Sequence, residues 1–131
     1  MAELARILYV EDEKDIQEVA RLALEMIGGF EVKICSSGEQ ALAEAEQFAP
    51  QMILLDVMMP NMDGPTTFKA LKQLPSLRLI PTAFMTAKVM PSEVKQLLEL
   101  GAVGVIPKPF DPMTLSQDVT KLWQQGCQDS A

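Results

Sequence analysis

Polar and ionisable side chains stand at or just after the ends of several short apolar runs. Glu11 and Asp12 follow the first run, and Asp56 ends the run QMILLD. Thr86 and Lys108 stand at or just beyond the ends of two later runs. A carboxylate at the end of a buried apolar run is costly unless something binds it. These residues are therefore the candidates for chemistry.

The charges of the candidates indicate what they could bind together. Glu11, Asp12 and Asp56 supply three negative charges, and Lys108 supplies one positive charge. Carboxylates that share a site repel one another, and a divalent cation would neutralise the cluster. All the ligand atoms are oxygens, which favours a hard ion, Mg²⁺ or Mn²⁺, that keeps several water molecules.

Carboxylates, a divalent cation, a lysine and a hydroxyl are the groups that handle a phosphoryl group. The sequence has neither a glycine-rich phosphate loop nor a GK[ST] motif, so nothing obvious binds a nucleotide. The role left for Asp56 is that of a nucleophile that becomes an aspartyl phosphate. The chain has no histidine, which excludes histidine general bases, histidine metal ligands and a phosphohistidine on this chain.

Five strand-like runs alternate along the chain with five helical patterns. The strands are predicted at 6–10, 30–35, 51–55, 80–86 and 103–106. The helices are predicted at 16–27, 37 to about 48, 63 to about 73, 91–100 and from 112 onward. Strict alternation with short connections predicts an α/β fold with a doubly wound parallel sheet. Ligands bind beyond the carboxyl ends of such strands, where the candidate residues stand.

Local signals mark the beginnings of two of these helices. Ser37, with Gln40 three residues later, resembles a capping box. Asp111 is expected to cap the last helix, and Pro112 suits its first position.

Composition excludes several classes of protein. The chain has 131 residues, of which 48% are hydrophobic, enough for one domain with a sizeable core. Its formal net charge of -7 argues against direct nucleic acid binding. No apolar run approaches the ~20 residues of a membrane span, and no signal peptide is expected. The two cysteines suggest no disulfide framework, which fits a cytoplasmic protein.

On these features the chain resembles the receiver domain of two-component response regulators. The resemblance covers about residues 4–125 and rests on four motifs in order, VEDE, LLDVMMPNMDG, FMTA and KPF. It implies a single receiver domain over residues 1–131, with a core at about 4–125 and a short C-terminal tail. It also implies the flavodoxin-like strand order 2-1-3-4-5, with five flanking helices.

The resemblance implies a role for each acid of the site. Asp56 is the phosphoacceptor. Asp12 binds Mg²⁺ directly, and Glu11 does so directly or through water. The backbone carbonyl of Met58 is a further metal ligand.

The resemblance also assigns the switch. Lys108 pairs with Asp56 and then with the phosphoryl oxygens, and the Lys108–Pro109 bond is expected to be cis. The Thr86 hydroxyl follows the phosphoryl group. Val105 stands where family members often have an aromatic residue that moves inward with this hydroxyl.

The function implied is that of a self-phosphorylating and self-dephosphorylating signalling switch, not a metabolic enzyme. A histidine kinase or a histidine phosphotransfer protein supplies the phosphoryl group. The surface around the fourth helix, fifth strand and fifth helix then binds a target protein that the sequence does not name. The chain is expected to be a monomer or a weak dimer, without a membrane partner.

Three alternatives remain open at this level. The chain could be a receiver domain excised from a larger regulator or hybrid kinase. It could be a small phosphatase with an aspartate nucleophile, although such enzymes usually have a second acid where this chain has Met58. It could also be a degenerate receiver that only binds partners, against which the intact acid, threonine and lysine set argues.

Overall fold

The structure, a computed structural model, describes the backbone of residues 3–130 and the side chains of residues 3–128. The strands within this range are β1 Arg6–Val10, β2 Glu31–Cys35, β3 Met52–Asp56, β4 Thr82–Thr86 and β5 Gly104–Pro107. The α-helices are α1 Lys14–Leu22, α2 Gly38–Phe48, α3 Gly64–Lys72, α4 Pro91–Leu100 and α5 Leu115–Ser130. A π-helical segment, Ala23–Ile27, continues α1, and a 3₁₀ turn, Pro75–Leu77, follows α3.

All the described strands lie parallel in one sheet with the order β2-β1-β3-β4-β5. The predicted α/β fold and strand order are therefore confirmed. Asp56 pairs with Met85, and Thr86 pairs with Pro107, so these strands end at one edge of the sheet. Every residue of β3 is buried, as expected for a central parallel strand.

Hydrophobic side chains cover both faces of the sheet. Neighbouring residues of β3 enter different clusters because strand side chains alternate between faces. Ile53 packs in a cluster that includes Phe68 of α3, whereas Leu54 packs in one that includes Leu24 and Val119. Helices α1 and α5 thus cover one face, and α2, α3 and α4 cover the other.

Side-chain capping at α2 agrees with the sequence signal, and α3 also begins with a side-chain cap. The Ser37 hydroxyl accepts a hydrogen bond of 3.0 Å from the Gln40 amide, and the Gln40 side chain accepts one from the Ser36 amide. At α3, the Asp63 carboxylate accepts a hydrogen bond of 2.9 Å from the Thr66 amide. These bonds satisfy amides at helix starts that have no partner within the helix.

The predicted start of the last helix is wrong by three residues. Helix α5 begins at Leu115, and not at Pro112. Asp111 caps a turn instead, because its carboxylate accepts a hydrogen bond of 2.9 Å from the Met113 amide. Its carbonyl also accepts from the Leu115 amide. The Asp-Pro pair therefore opens a turn here, and the helix begins after that turn.

Helix α5 extends past residue 125, where the predicted core ends, and continues to Ser130. Gly126 does not end the helix but packs against the start of β4. A Cβ atom at Gly126 would lie 2.8 Å from the Pro81 Cβ, so only glycine allows this approach. Among the described residues, no helix is both long and apolar enough to cross a membrane.

Candidate functional site

The three predicted acids meet at the carboxyl edge of the sheet. Glu11 and Asp12 follow β1, and Asp56 ends the neighbouring strand β3. One oxygen from each carboxylate lies within 4.8 Å of the others. Glu11 and Asp56 are only 0% and 3% exposed, so water screens their mutual repulsion poorly. The sheet thus concentrates negative charge at this edge.

The loop after β3 turns sharply to hold Asp56 at this edge. The Gly64 amide donates a hydrogen bond of 2.8 Å to the Val57 carbonyl. A Cβ atom at Gly64 would lie 2.3 Å from the Asp56 carbonyl oxygen, so a glycine is required there. Met58, in the same loop, has a side chain that is 64% exposed. The role of its carbonyl as a metal ligand stays a prediction.

Lys108 reaches the acids from β5. Its Nζ donates hydrogen bonds of 3.0 Å to Asp56 Oδ1 and of 3.0 Å to Glu11 Oε1. Its amide donates to the Thr86 carbonyl over 2.9 Å, which ties the end of β5 to the end of β4. The Lys108–Pro109 bond is cis, as expected. The predicted pairing of Lys108 with Asp56 is therefore present.

Glu11 is held by several donors. Besides Lys108, the Tyr9 hydroxyl donates to Glu11 Oε1 over 3.1 Å, and the Glu13 amide donates to Oε2 over 3.2 Å. The side-chain amide of the buried Gln17 donates to the Glu11 backbone carbonyl. Sequence reasoning missed Tyr9 and Gln17. The available signal was spacing, because Tyr9 is two residues before Glu11 and shares its side of the strand.

Asp12 differs from Glu11 in its partners. Its Oδ1 is buried, and no hydrogen-bond partner for it lies among the residues that the structure describes. Leaving a buried carboxylate oxygen without a partner is costly. A hard cation between Asp12 and Asp56 would satisfy this oxygen, so the donor set fits Mg²⁺ or Mn²⁺.

Burial and charge perturb the pKa values of this cluster. Burial raises the pKa of Asp56 to about 6, Glu11 adds to this increase, and the hydrogen bond from Lys108 opposes it. For Lys108, burial alone would lower the pKa, but hydrogen bonds to Asp56 and Glu11 outweigh burial and raise it. The lysine therefore remains protonated beside the acids.

Thr86 lies at the end of β4 and is 3% exposed. Its hydroxyl accepts a hydrogen bond of 3.0 Å from the Lys88 amide, in the loop before α4. The structure therefore brings Lys108 into contact with the acids, whereas the Thr86 hydroxyl is hydrogen-bonded to the loop before α4. Val105, on β5, is half-buried beside Phe84 of β4.

The parallel 2-1-3-4-5 sheet thus gathers acids and a lysine around one buried aspartate at its carboxyl edge. The family model of the response regulator receiver domain matches residues 7–120, and the chain belongs to this family. Receiver domains serve two-component signalling and bind Mg²⁺ at an acidic pocket, which corresponds here to Glu11, Asp12 and Asp56.

Individual response regulators are similar to this chain in sequence and in structure. Response regulator Rre1 of Synechocystis is 30% identical, over 99% of this chain and 57% of that protein. The alkaline phosphatase synthesis transcriptional regulatory protein PhoP of Bacillus subtilis is 38% identical, over 92% of this chain and 49% of PhoP. The chain thus spans about half the length of these curated relatives. The structure of chemotaxis protein CheY4 of Vibrio cholerae matches with a TM-score of 0.84 and 29% identity, over 91% of this chain and 98% of that one.

Proposed function

We propose that this chain is a phosphoacceptor switch in which Asp56 takes a phosphoryl group from a histidine kinase or a histidine phosphotransfer protein. The observation that carries the proposal is the setting of Asp56. It is buried at a strand end, hydrogen-bonded to Lys108 at 3.0 Å and within 4.8 Å of oxygens from Glu11 and Asp12.

In the proposed reaction a carboxylate oxygen of Asp56 attacks the phosphorus atom in line with the bond to the donor histidine. The new oxygen–phosphorus bond forms as the nitrogen–phosphorus bond breaks, and the electron pair of the broken bond stays on the imidazole. Lys108 already contacts Asp56, so its ammonium can follow the oxygens of the arriving group and stabilise their charge. Its raised pKa keeps that charge present.

The acids would form the binding site for a metal ion. Asp12 and Asp56 would hold Mg²⁺ or Mn²⁺, with Glu11 beside it or joined through water, and with the Met58 carbonyl as a further ligand. The bound ion would supply positive charge to the phosphoryl oxygens. Glu11 already accepts several hydrogen bonds, so we assign it mainly to holding Lys108.

Switching is proposed to begin at Thr86. Its hydroxyl leaves the Lys88 amide and turns to the phosphoryl group, which releases the loop between β4 and α4. Val105 is short and branched, so it has few rotamers to exchange. The conformational change is therefore concentrated in residues 86–90. The surface of α4, β5 and α5 then binds a target protein.

The output of the protein depends on what accompanies this domain. The curated relatives are longer than the matched region, whereas CheY4 is almost fully covered. Two proposals follow from these lengths, a stand-alone regulator that acts through its own surface and a receiver that forms part of a larger regulator. In both, the chain acts as a monomer or weak dimer in the cytoplasm.

Mass spectrometry after incubation with acetyl phosphate and Mg²⁺ tests the phosphoacceptor role. The wild-type chain should gain the mass of one phosphoryl group, and peptide mapping should place it on Asp56. The Asp56→Asn variant should gain nothing, because an amide is a poor nucleophile. The control is Asp118→Asn, which alters an exposed aspartate of α5 and should be phosphorylated like the wild type. Equal labelling of Asp56→Asn and wild type would refute the proposal.

A further inference from the structure

A second concave site lies at the edge of the sheet opposite the acids. It has a volume of about 430 Å³ and lies between the end of α3, the segment before β4 and the turn between α4 and β5. We call it the basal cavity. Its walls include Phe68, Lys72, Arg78, Leu79 and Leu100. None of the residues assigned to phosphoryl transfer lines it, so it is separate from the phosphoacceptor site.

The charge of the basal cavity is opposite to that of the protein. Lys69, Lys72 and Arg78 line it, and no aspartate or glutamate is among the described residues of its lining. The whole chain has 18 acidic and 11 basic residues, so such a grouping does not follow from composition. Within the described residues, none of these three cations forms an ion pair with a carboxylate. Lys69 interacts electrostatically with Asp63 across α3, whereas Lys72 and Arg78 have no carboxylate partner among the described residues.

Lys72 is the fixed cation of this cavity. Its Nζ donates to the Leu77 carbonyl over 3.3 Å and also to the Ile80 carbonyl, and it lies 5.3 Å from the centre of the Phe68 ring. These partners are all neutral, and a lysine has three N–H donors. Burial lowers the pKa of Lys72 to about 8, which shows that its charge is poorly compensated. An anion beside Nζ would supply the negative charge that these neutral partners lack.

Apart from Gln73, the side chains of the remaining walls of the cavity are apolar. Phe68 is almost fully buried beneath it, whereas Leu79 is 71% exposed at its side. Ile80, Leu100 and Val103 complete this surface. Small-molecule sites commonly combine an apolar lining of this size with a few polar groups that orient the ligand.

We propose that the basal cavity binds a small organic anion, a carboxylate or phosphate group joined to a short apolar or aromatic body. The anionic group pairs with Lys72 and Arg78, and Lys69 adds charge at the rim. The apolar body packs against Phe68 and Leu79. A purely structural role for Lys72, which ties the 77–80 segment to the end of α3, would instead require no ligand.

Nuclear magnetic resonance of the full chain in EDTA tests this proposal, because without metal the acid cluster repels anions. The probes are benzoate, phenyl phosphate, inorganic phosphate and benzyl alcohol. We expect saturable amide shifts in residues 69–73, 78–81 and 100–103 with benzoate or phenyl phosphate, and the tighter of the two identifies the anionic group. Inorganic phosphate and benzyl alcohol should bind at least several-fold more weakly, since each lacks one half of the ligand.

Matched variants separate this site from general charge attraction. Arg78→Gln removes an exposed cation of the cavity, and Lys72→Met removes the fixed one. Each should weaken binding about tenfold, as expected for a charge-assisted hydrogen bond. Lys95→Gln removes an exposed cation of α4 outside the cavity and should leave affinity unchanged. Shifts confined to other surfaces, no saturable shifts, or equal losses in Arg78→Gln and Lys95→Gln would overturn the proposal.

Discussion

Asp56→Asn is expected to stabilise the metal-free protein near neutral pH. Asp56 is buried beside Glu11 and Asp12, and burial raises its pKa from an ordinary value of 3.8 to about 6. Its ionised form is therefore less stable in the folded protein than in the unfolded chain. Asparagine has nearly the same shape, removes the negative charge and can still accept a hydrogen bond from Lys108.

The pKa difference sets the size of this effect. A change from 3.8 to about 6 corresponds to at most about 3 kcal/mol of unfolding free energy. Because the folded pKa of Asp56 lies above its unfolded value, the contribution of protonated Asp56 to wild-type stability is complete below pH 3.8 and is lost as pH rises through about 6. The advantage of the asparagine variant over the wild type therefore grows with pH. We therefore expect Asp56→Asn to gain about 1 to 3 kcal/mol at about pH 7.5, and less than about 1 kcal/mol at about pH 4.5.

Urea unfolding in EDTA at these two pH values measures the effect. Asp118→Asn, which removes an exposed carboxylate of α5, is the control and should change little at either pH. If Asp56→Asn were no more stable than wild type at the higher pH, or gained more at the lower pH, the assigned electrostatics of the acid cluster would be wrong.

Further predictions concern the other site residues. Asp12→Ala should weaken Mg²⁺ binding while metal-free stability holds or rises, because a repelling charge is removed. Thermal melts across a Mg²⁺ titration measure both, and a large loss of metal-free stability with unchanged affinity would contradict the metal role. The Lys108→Ala variant should still be phosphorylated to some extent, but phosphorylation should change its target binding less than in the wild type. Equal target binding by the phosphorylated variant and phosphorylated wild type would exclude a signalling role for the lysine. With the phosphoryl mimic beryllofluoride, amide shifts should be larger in residues 86–90 than in 103–106, and the reverse pattern would show that β5 carries the switch.

Much of the site could be predicted because its residues stand at the ends of strands. Glu11, Asp12, Asp56 and Lys108 all stand at or just beyond strand ends, and parallel strands bring such positions to one edge. The Tyr9 hydroxyl was not predicted, since the run RILYV indicates only a buried strand. The two-residue spacing places Tyr9 and Glu11 on one side of the strand, but the rotamer that makes the contact has no sequence signal.

Features that depend on the path of a loop were also beyond prediction. Asp111 has the sequence signature of a helix cap but its carboxylate caps a turn, and the regular helix begins only at Leu115. Lys72 bonds to the Leu77 and Ile80 carbonyls, which the path of the chain before β4 brings to the end of α3. Neither arrangement has a local signal.

The hydrogen bonds between strand ends have a consequence for the timing of the signal. The Val57 amide is bonded to the Met85 carbonyl, and the Lys108 amide to the Thr86 carbonyl, so backbone hydrogen bonds join the ends of β3, β4 and β5 in series. Side chains and the loop beyond Thr86 lie outside these strand-end hydrogen bonds, and side-chain and loop motions take up to microseconds. We therefore expect the shape of the domain to follow its chemical state without delay, so that the duration of a signal equals the lifetime of the acyl phosphate on Asp56.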